Sequence, residues 1–168
     1  MNKLMKMSIA AIVAMVTCAT LAKSHNDDDD DDNDGYYLTF SMDTEEFPEY
    51  IGGAEVLTEY LPEGIEVEWT GKKLKTPKSG SPKIKKIDGE YEVVPPSEKG
   101  EDNPCGLKLK YKKKNGKVTG SFKVYAVAEN KKGTLKLKKF SGKVSGYFEA
   151  EELTVTVKKV GTFGATLE

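Results

Sequence analysis

The chain is expected to fold as a mainly β protein, an antiparallel meander forming a small barrel or sandwich, with one short helix. Three observations predict this. Beyond Pro62, apolar and polar residues alternate with a period of two, the period of a half-buried strand. The alternating runs are short and are separated by tight-turn sequences, including Asp88-Gly89 and Asn115-Gly116. No helical pattern is interleaved between them, so the crossover helices of a parallel sheet have no source.

The elements follow in order. Tyr36 to Met42 is aromatic-rich and suits a strand. Phe47, Tyr50, Ile51, Ala54, Leu57, Tyr60 and Leu61 recur at spacings of three and four, but Pro48, Gly52 and Gly53 interrupt them. One short helix is therefore expected, about Ala54 to Tyr60, ending before Leu61-Pro62. Ile65, Val67 and Trp69 then alternate with polar residues, Gly71 turns, and residues 72–75 return. Residues 83–87 and 90–94 flank Asp88-Gly89 as a hairpin, and residues 95–104 read as a polar loop. Leu107, Leu109 and Tyr111 share one face opposite Lys108, Lys110 and Lys112. Asn115-Gly116 predicts a two-residue turn, and Val118, Phe122, Val124 and Ala126 share the returning face. Leu135 and Leu137 fall out of phase with Phe140 and Val144, which predicts a β-bulge near Lys138-Lys139. Residues 153–158 and 163–167 supply the last strands. Eight or nine strands result, paired sequentially. They are too short and too charged for an outer-membrane barrel.

The first residues read as an address. Lys3 and Lys6 precede an apolar run from Met7 to Ala22, the layout of a bacterial secretory signal, with a cut expected after Ala22. The run of 16 residues is shorter than the ~20 a spanning helix needs. Cys18 offers a second route, lipidation, which would keep the product on a membrane. Otherwise the protein is expected to be exported: periplasmic, cell-surface or extracellular. The expected organisation is a signal peptide over residues 1–22, an acidic tether over 23–34, a strand and short helix over 35–60, and an antiparallel β-domain over 61–168.

The net charge of −1 in 168 residues hides a strong asymmetry. Residues 24–70 hold 16 carboxylates and no lysine; residues 71–168 hold 23 lysines against 11 carboxylates. Such blocks mark interaction surfaces or tails. The run from Asp27 to Asp34 has no apolar residue and suits a solvated tether. Within it Asp30, Asp32, Asp34 and Gly35 match the start of a calcium loop, but Ser41 stands where its twelfth-position carboxylate belongs. The lysines occupy solvent faces, where they keep a sheet soluble and blunt its edges.

From Leu61 to Glu168 the chain resembles a module found in exported proteins of environmental and gut bacteria. The residues that carry the likeness are Asn103-Pro104-Cys105-Gly106-Leu107-Lys108-Leu109-Lys110-Tyr111, then Lys114-Asn115-Gly116, then Gly120-Ser121-Phe122-Lys123-Val124-Tyr125. The pattern is N-P-x-G-L-x-L-x-Y, a Lys-x-Gly turn, and G-S-F-K-V-Y. Leu135 to Lys139 resembles its lysine-rich strand. Tyr147-Phe148-Glu149 departs from a glycine-richer run. The resemblance implies an exported, non-enzymatic β-module, often C-terminal in its chain, and no catalytic residue comes with it.

Composition narrows the chemistry. There is no arginine, one histidine (His25, beside the acidic run) and two cysteines. A multi-histidine metal site and a Cys₄ zinc site are excluded, as is recognition through a guanidinium fork. If Cys18 is removed or lipidated, Cys105 has no cysteine to pair with and no histidine to activate it. A carboxylate hydrolase would draw on Asp88, Asp102, Glu149, Glu151 or Glu152, all in apparent turns with no spacing that pairs them. The expected function is a non-catalytic binding or structural module that needs no cofactor. Its contact residues are expected among outward aromatics: Tyr125, Tyr147 or Phe148. Candidate partners are a cell-surface glycan, an anionic polymer or a protein, including a second copy held by charge. Nucleic acid is not expected, because the chain is exported, lacks arginine and carries an acidic run.

Overall fold

The computed structural model describes residues 35–168, and there the alternation of sequence becomes alternation of burial. The strands are β1 (Tyr36–Met42), β2 (Tyr50–Ile51), β3 (Ala54–Val56), β4 (Gly64–Trp69), β5 (Leu74–Lys75), β6 (Lys83–Ile87), β7 (Glu90–Val94), β8 (Lys108–Lys112), β9 (Lys117–Glu129), β10 (Leu135–Tyr147), β11 (Glu152–Val157) and β12 (Gly161–Leu167). Ten of them make one strongly curled, half-barrel antiparallel sheet in the order β2-β3-β9-β10-β11-β12-β1-β4-β5. β8 pairs with the first half of β9, and β3 with its second half. The curl brings β5 back beside β8. β6 and β7 form a separate hairpin. The expected antiparallel barrel-like fold is what the chain adopts, with a meander from β8 to β12 that β1 continues.

Inward residues fill the curl: Phe40, Val67, Leu107, Val118, Phe122 and Val155 are all essentially buried. Each such side chain stabilises the fold by about 1.5–3 kcal/mol. Small residues set how closely strands approach. A Cβ at Gly142 would lie less than 3.0 Å from three atoms of the Phe122 ring, so this position on β10 favours glycine while that ring fills the core. Near one end, Trp69, Tyr111 and Phe148 pack together with ring centroids 4.7–5.4 Å apart. Elsewhere Phe47 stacks on Phe163 at 4.3 Å.

Three local expectations are corrected. The helix over Ala54 to Tyr60 is not formed. Ala54–Val56 is strand and Thr58–Tyr60 is a single 3-10 turn. Gly52 and Gly53, at φ +57° and +75°, close a two-residue hairpin between β2 and β3. This is the left-handed geometry such turns require, and it leaves no length for a helix. The β-bulge at Lys138-Lys139 is also absent. β9 and β10 pair in unbroken register from Leu135↔Glu129 to Tyr147↔Lys117. The phase change arises because the ribbon is covered on both faces along part of its length: Val124, Tyr125 and Ala126 are buried in succession. Finally, Asn115-Gly116 belongs to a four-residue loop, residues 113–116, with only Gly116 at positive φ. Asn115 Oδ1 accepts from the Lys117 N–H instead. Asp88-Gly89 does form the two-residue turn, at φ +50° and +93°.

The Asn103-Pro104-Cys105-Gly106 motif is a corner. Its Asn103 carbonyl accepts from the Gly106 N–H at 3.2 Å, closing a β-turn with proline and glycine where such turns favour them. The Asn103 side chain is fully buried. Its Nδ2 donates to the Pro77 and Leu107 carbonyls (3.0 and 2.9 Å), and its Oδ1 accepts from the Leu107 N–H (2.6 Å). One amide thereby ties two sequence-distant loops to the start of β8.

Candidate binding surface

Outward side chains on neighbouring strands form rows, because register aligns them. One row crosses β8 to β12 as Lys108, Ser121, Lys143, Thr156 and Thr162. The next holds Lys110, Thr119, Ser145 and Thr154. A third holds Lys112, Lys117 and Tyr147. Lys123 lies opposite Ser141, and its Nζ donates to Ser141 Oγ at 3.1 Å. Six lysines thus share one face with hydroxyls. None has a carboxylate opposite it in the ladder. Lysines two apart along a strand are about 7 Å apart, and neighbouring strands lie about 4.8 Å apart.

Directly opposed like charges destabilise a sheet, and opposite charges are the usual remedy. Here Lys112 faces Lys117. Between residues 103 and 148 there are 13 lysines and one carboxylate, Glu129. Elsewhere on the outward face the charge differs. Glu66 and Glu68 on β4 lie opposite Thr39 and Tyr37 of β1, and Glu68 pairs with Lys75 at 2.8 Å. The charge asymmetry along the chain therefore becomes, within the described residues, an asymmetry around the sheet.

The three aromatic candidates separate. Tyr147 is 55% exposed and ends the third lysine row. Phe148 is half-buried and packs against Trp69 and Tyr111, so it serves the core. Tyr125 does lie on the face opposite Phe122 and Val124, but only 3% of it is exposed, which corrects the expectation of a surface ring. It forms part of the wall of a groove of about 750 Å³ between β9 and the segments flanking the β6–β7 hairpin. Lys139 Nζ lies 5.9 Å from its ring centroid. Burial raises the Tyr125 phenol above its ordinary pKa, a hydrogen bond with Ser81 opposes this, and Cys105 adds to the rise.

No family model, curated protein or solved structure matches this chain. Cys105 is fully buried beneath the Asn103 corner, and burial pushes its thiol up to about 11 against opposing backbone hydrogen bonds. A thiol so placed is a poor nucleophile at neutral pH. Among the carboxylates, Glu152 shares a shallow depression with Asp43 and Glu46, and all three are exposed. Asp102 shares another with Glu66, Glu68 and Tyr37. Asp88 sits at the hairpin tip, and Glu149 and Glu151 are exposed at the turn after β10. Among the described residues, no group of three histidine, cysteine or carboxylate side chains could hold a metal. Asp30, Asp32, Asp34 and Cys18 lie outside those residues.

The residues that periodicity did not single out are the lysines. Each reads as a solubilising surface residue in sequence. Only the register reveals that, among the described strands, they gather with no carboxylate opposed to them. The shortage of carboxylates after residue 102 was the available signal.

Proposed function

We propose that this chain is an exported, non-catalytic β-module that holds anionic polymer on the lysine-and-hydroxyl face of β8, β9 and β10. One observation carries the reading: six lysines gathered on one sheet face, Lys112 directly opposite Lys117, with no carboxylate opposed to any of them. Lysine acts as a point charge and tolerates varied anion geometry, and the interleaved Ser121, Thr119 and Ser145 supply hydroxyls suited to a glycan. The signal-like residues 1–22 and the resemblance to exported bacterial modules support a place at the cell surface or in the periplasm.

The test is retention of the purified protein on immobilised dextran sulfate beside neutral dextran. Retention on the sulfated matrix alone, released by salt, is expected. Passage through both matrices at 10 mM salt would contradict the proposal. Fractionation of the expressing cells tests export, with the protein expected outside the cytoplasm.

Glu66 and Glu68 on β4, with Asp102 just before the corner, favour a second reading, head-to-tail association between copies through opposite charges. It predicts a scattering mass that falls between 10 and 500 mM salt. A constant monomer mass contradicts it.

A further inference from the structure

The first lysine row does not stop at the sheet edge. Lys108 also lines the groove that holds Tyr125, and Lys83 and Lys85 enter it from β6. Three cations from two separate sheets therefore converge on one depression. Among the described residues, no carboxylate lines it. Glu92 lies opposite Lys85 on the hairpin, but Lys83 faces Val94 and Lys108 faces Ser121. Ser79, Ser81 and Ser97 add hydroxyls, and Pro95 and Pro96 add a small apolar surface.

The groove is also held rigid, which is unusual for walls made of loops. The Asn103 carbonyl accepts from the Gly80 N–H at 3.2 Å, and its side chain anchors Pro77. Gly80 and Gly100 pack back to back: a Cβ at Gly80 would lie 2.5 Å from Pro96 Cβ. The Asn-Pro-x-Gly corner thereby fixes one wall relative to Lys108. Such preorganisation is what a specific site needs.

We infer that this groove is a binding pocket for one anionic sugar unit, a pyranose-sized ring bearing a carboxylate, phosphate or sulfate. The inference rests on the reading that the adjoining face holds anionic polymer, and it adds where that polymer is recognised. A volume of about 750 Å³ far exceeds a bare inorganic anion and lies within the range of small-molecule sites. The hydroxyls match sugar hydroxyls, and the lysines match the anionic substituent. Tyr125 offers little of its ring, so a nucleobase would find no aromatic face to stack on.

The experiment follows backbone amide shifts of the full-length protein by NMR during titration with glucuronate, glucose 6-phosphate and glucose 6-sulfate. Glucose and inorganic phosphate serve as controls. Shifts confined to residues 79–85, 94–97 and 106–108 are expected with at least one charged sugar. Lys83→Gln/Lys85→Gln should weaken that binding about tenfold, roughly the effect of 1.4 kcal/mol. Lys131→Gln/Lys132→Gln, in the turn between β9 and β10, should leave it within about twofold. The spectra themselves report whether each variant is folded. The inference is overturned if no charged sugar shifts these amides, or if glucose or inorganic phosphate binds there as well as the best charged sugar. Continued retention on dextran sulfate in that case would leave the polymer-binding face standing without the pocket.

Discussion

The Asn103 corner and the lysine face adjoin in sequence, yet they use polar groups in opposite ways. At the corner every polar atom of one buried amide is matched: two carbonyls accept from it and one N–H donates to it. On the face, lysines stand opposite hydroxyls or another lysine, and none is opposed by a carboxylate in the ladder of the described strands. The corner is the more distinctive sequence motif, but its chemistry is spent on holding the fold. The face is unremarkable as sequence, and its chemistry remains available to a ligand. Motif distinctiveness and functional availability are separate properties, and register is what tells them apart here.

That contrast can be broken in several ways. The largest effect is expected at the corner. Asn103→Ala removes three hydrogen bonds to backbone groups and strands the buried Leu107 N–H, so unfolding free energy should fall by about 2–5 kcal/mol. Denaturant titration checks this. A loss below ~1 kcal/mol would mean the amide does not organise the loops.

Cys105, beneath the same corner, gives a pH signature. Its folded thiol titrates near 11, above the ordinary value of about 8.5. The folded state therefore holds its proton more tightly than the unfolded state. The resulting stability is present in full below pH ~8.5 and is lost as pH rises towards 11, a change of about 2–3 kcal/mol. Stability measured from pH 8 to 11 should fall more steeply in the natural protein than in Cys105→Ala. Parallel profiles would remove the thiol from the account.

Gly142→Ala places a methyl group against the Phe122 ring and should cost about 1–3 kcal/mol by thermal or denaturant unfolding. The smallest stability effect is expected on the face. Lys112→Gln/Lys117→Gln relieves an opposed like-charge pair, so stability should hold steady or rise by up to ~1 kcal/mol. A clear loss of stability would assign these lysines a structural role and blur the contrast.

Much of the fold is legible in the sequence wherever one face of a strand is buried and the other is wet. Glu152–Val157, with exposed and buried residues in strict alternation, is an example; the hairpin around Asp88-Gly89, with no buried residue, is legible from its turn instead. Legibility fails where that condition fails. Residues 124–126 are covered on both faces, so the alternation that locates a strand disappears and mimics a bulge. Tyr125 was legible as facing away from Val124 but not as buried, because what covers it comes from residues 79–81, more than forty positions earlier. The helix-like spacing over residues 47–61 has another source: two short strands around the Gly52-Gly53 turn, followed by one 3-10 turn, place apolar residues three and four apart. The candidate face was half legible. Alternating lysines were visible, but that Lys112 meets Lys117 and that Lys108 meets Lys83 and Lys85 at a groove are facts of pairing and curvature.

The most direct measurement compares two triple variants with the same net charge. One changes Lys110, Lys112 and Lys117 on the face to glutamine; the other changes Lys131, Lys132 and Lys159, which lie in turns. Affinity for dextran sulfate is measured at 150 mM salt. If position rather than total charge makes the surface, the face variant loses at least tenfold and the turn variant stays within about twofold of the natural protein. Equal losses in the two would show that the lysines act only through net charge, and would contradict the assignment of a binding face.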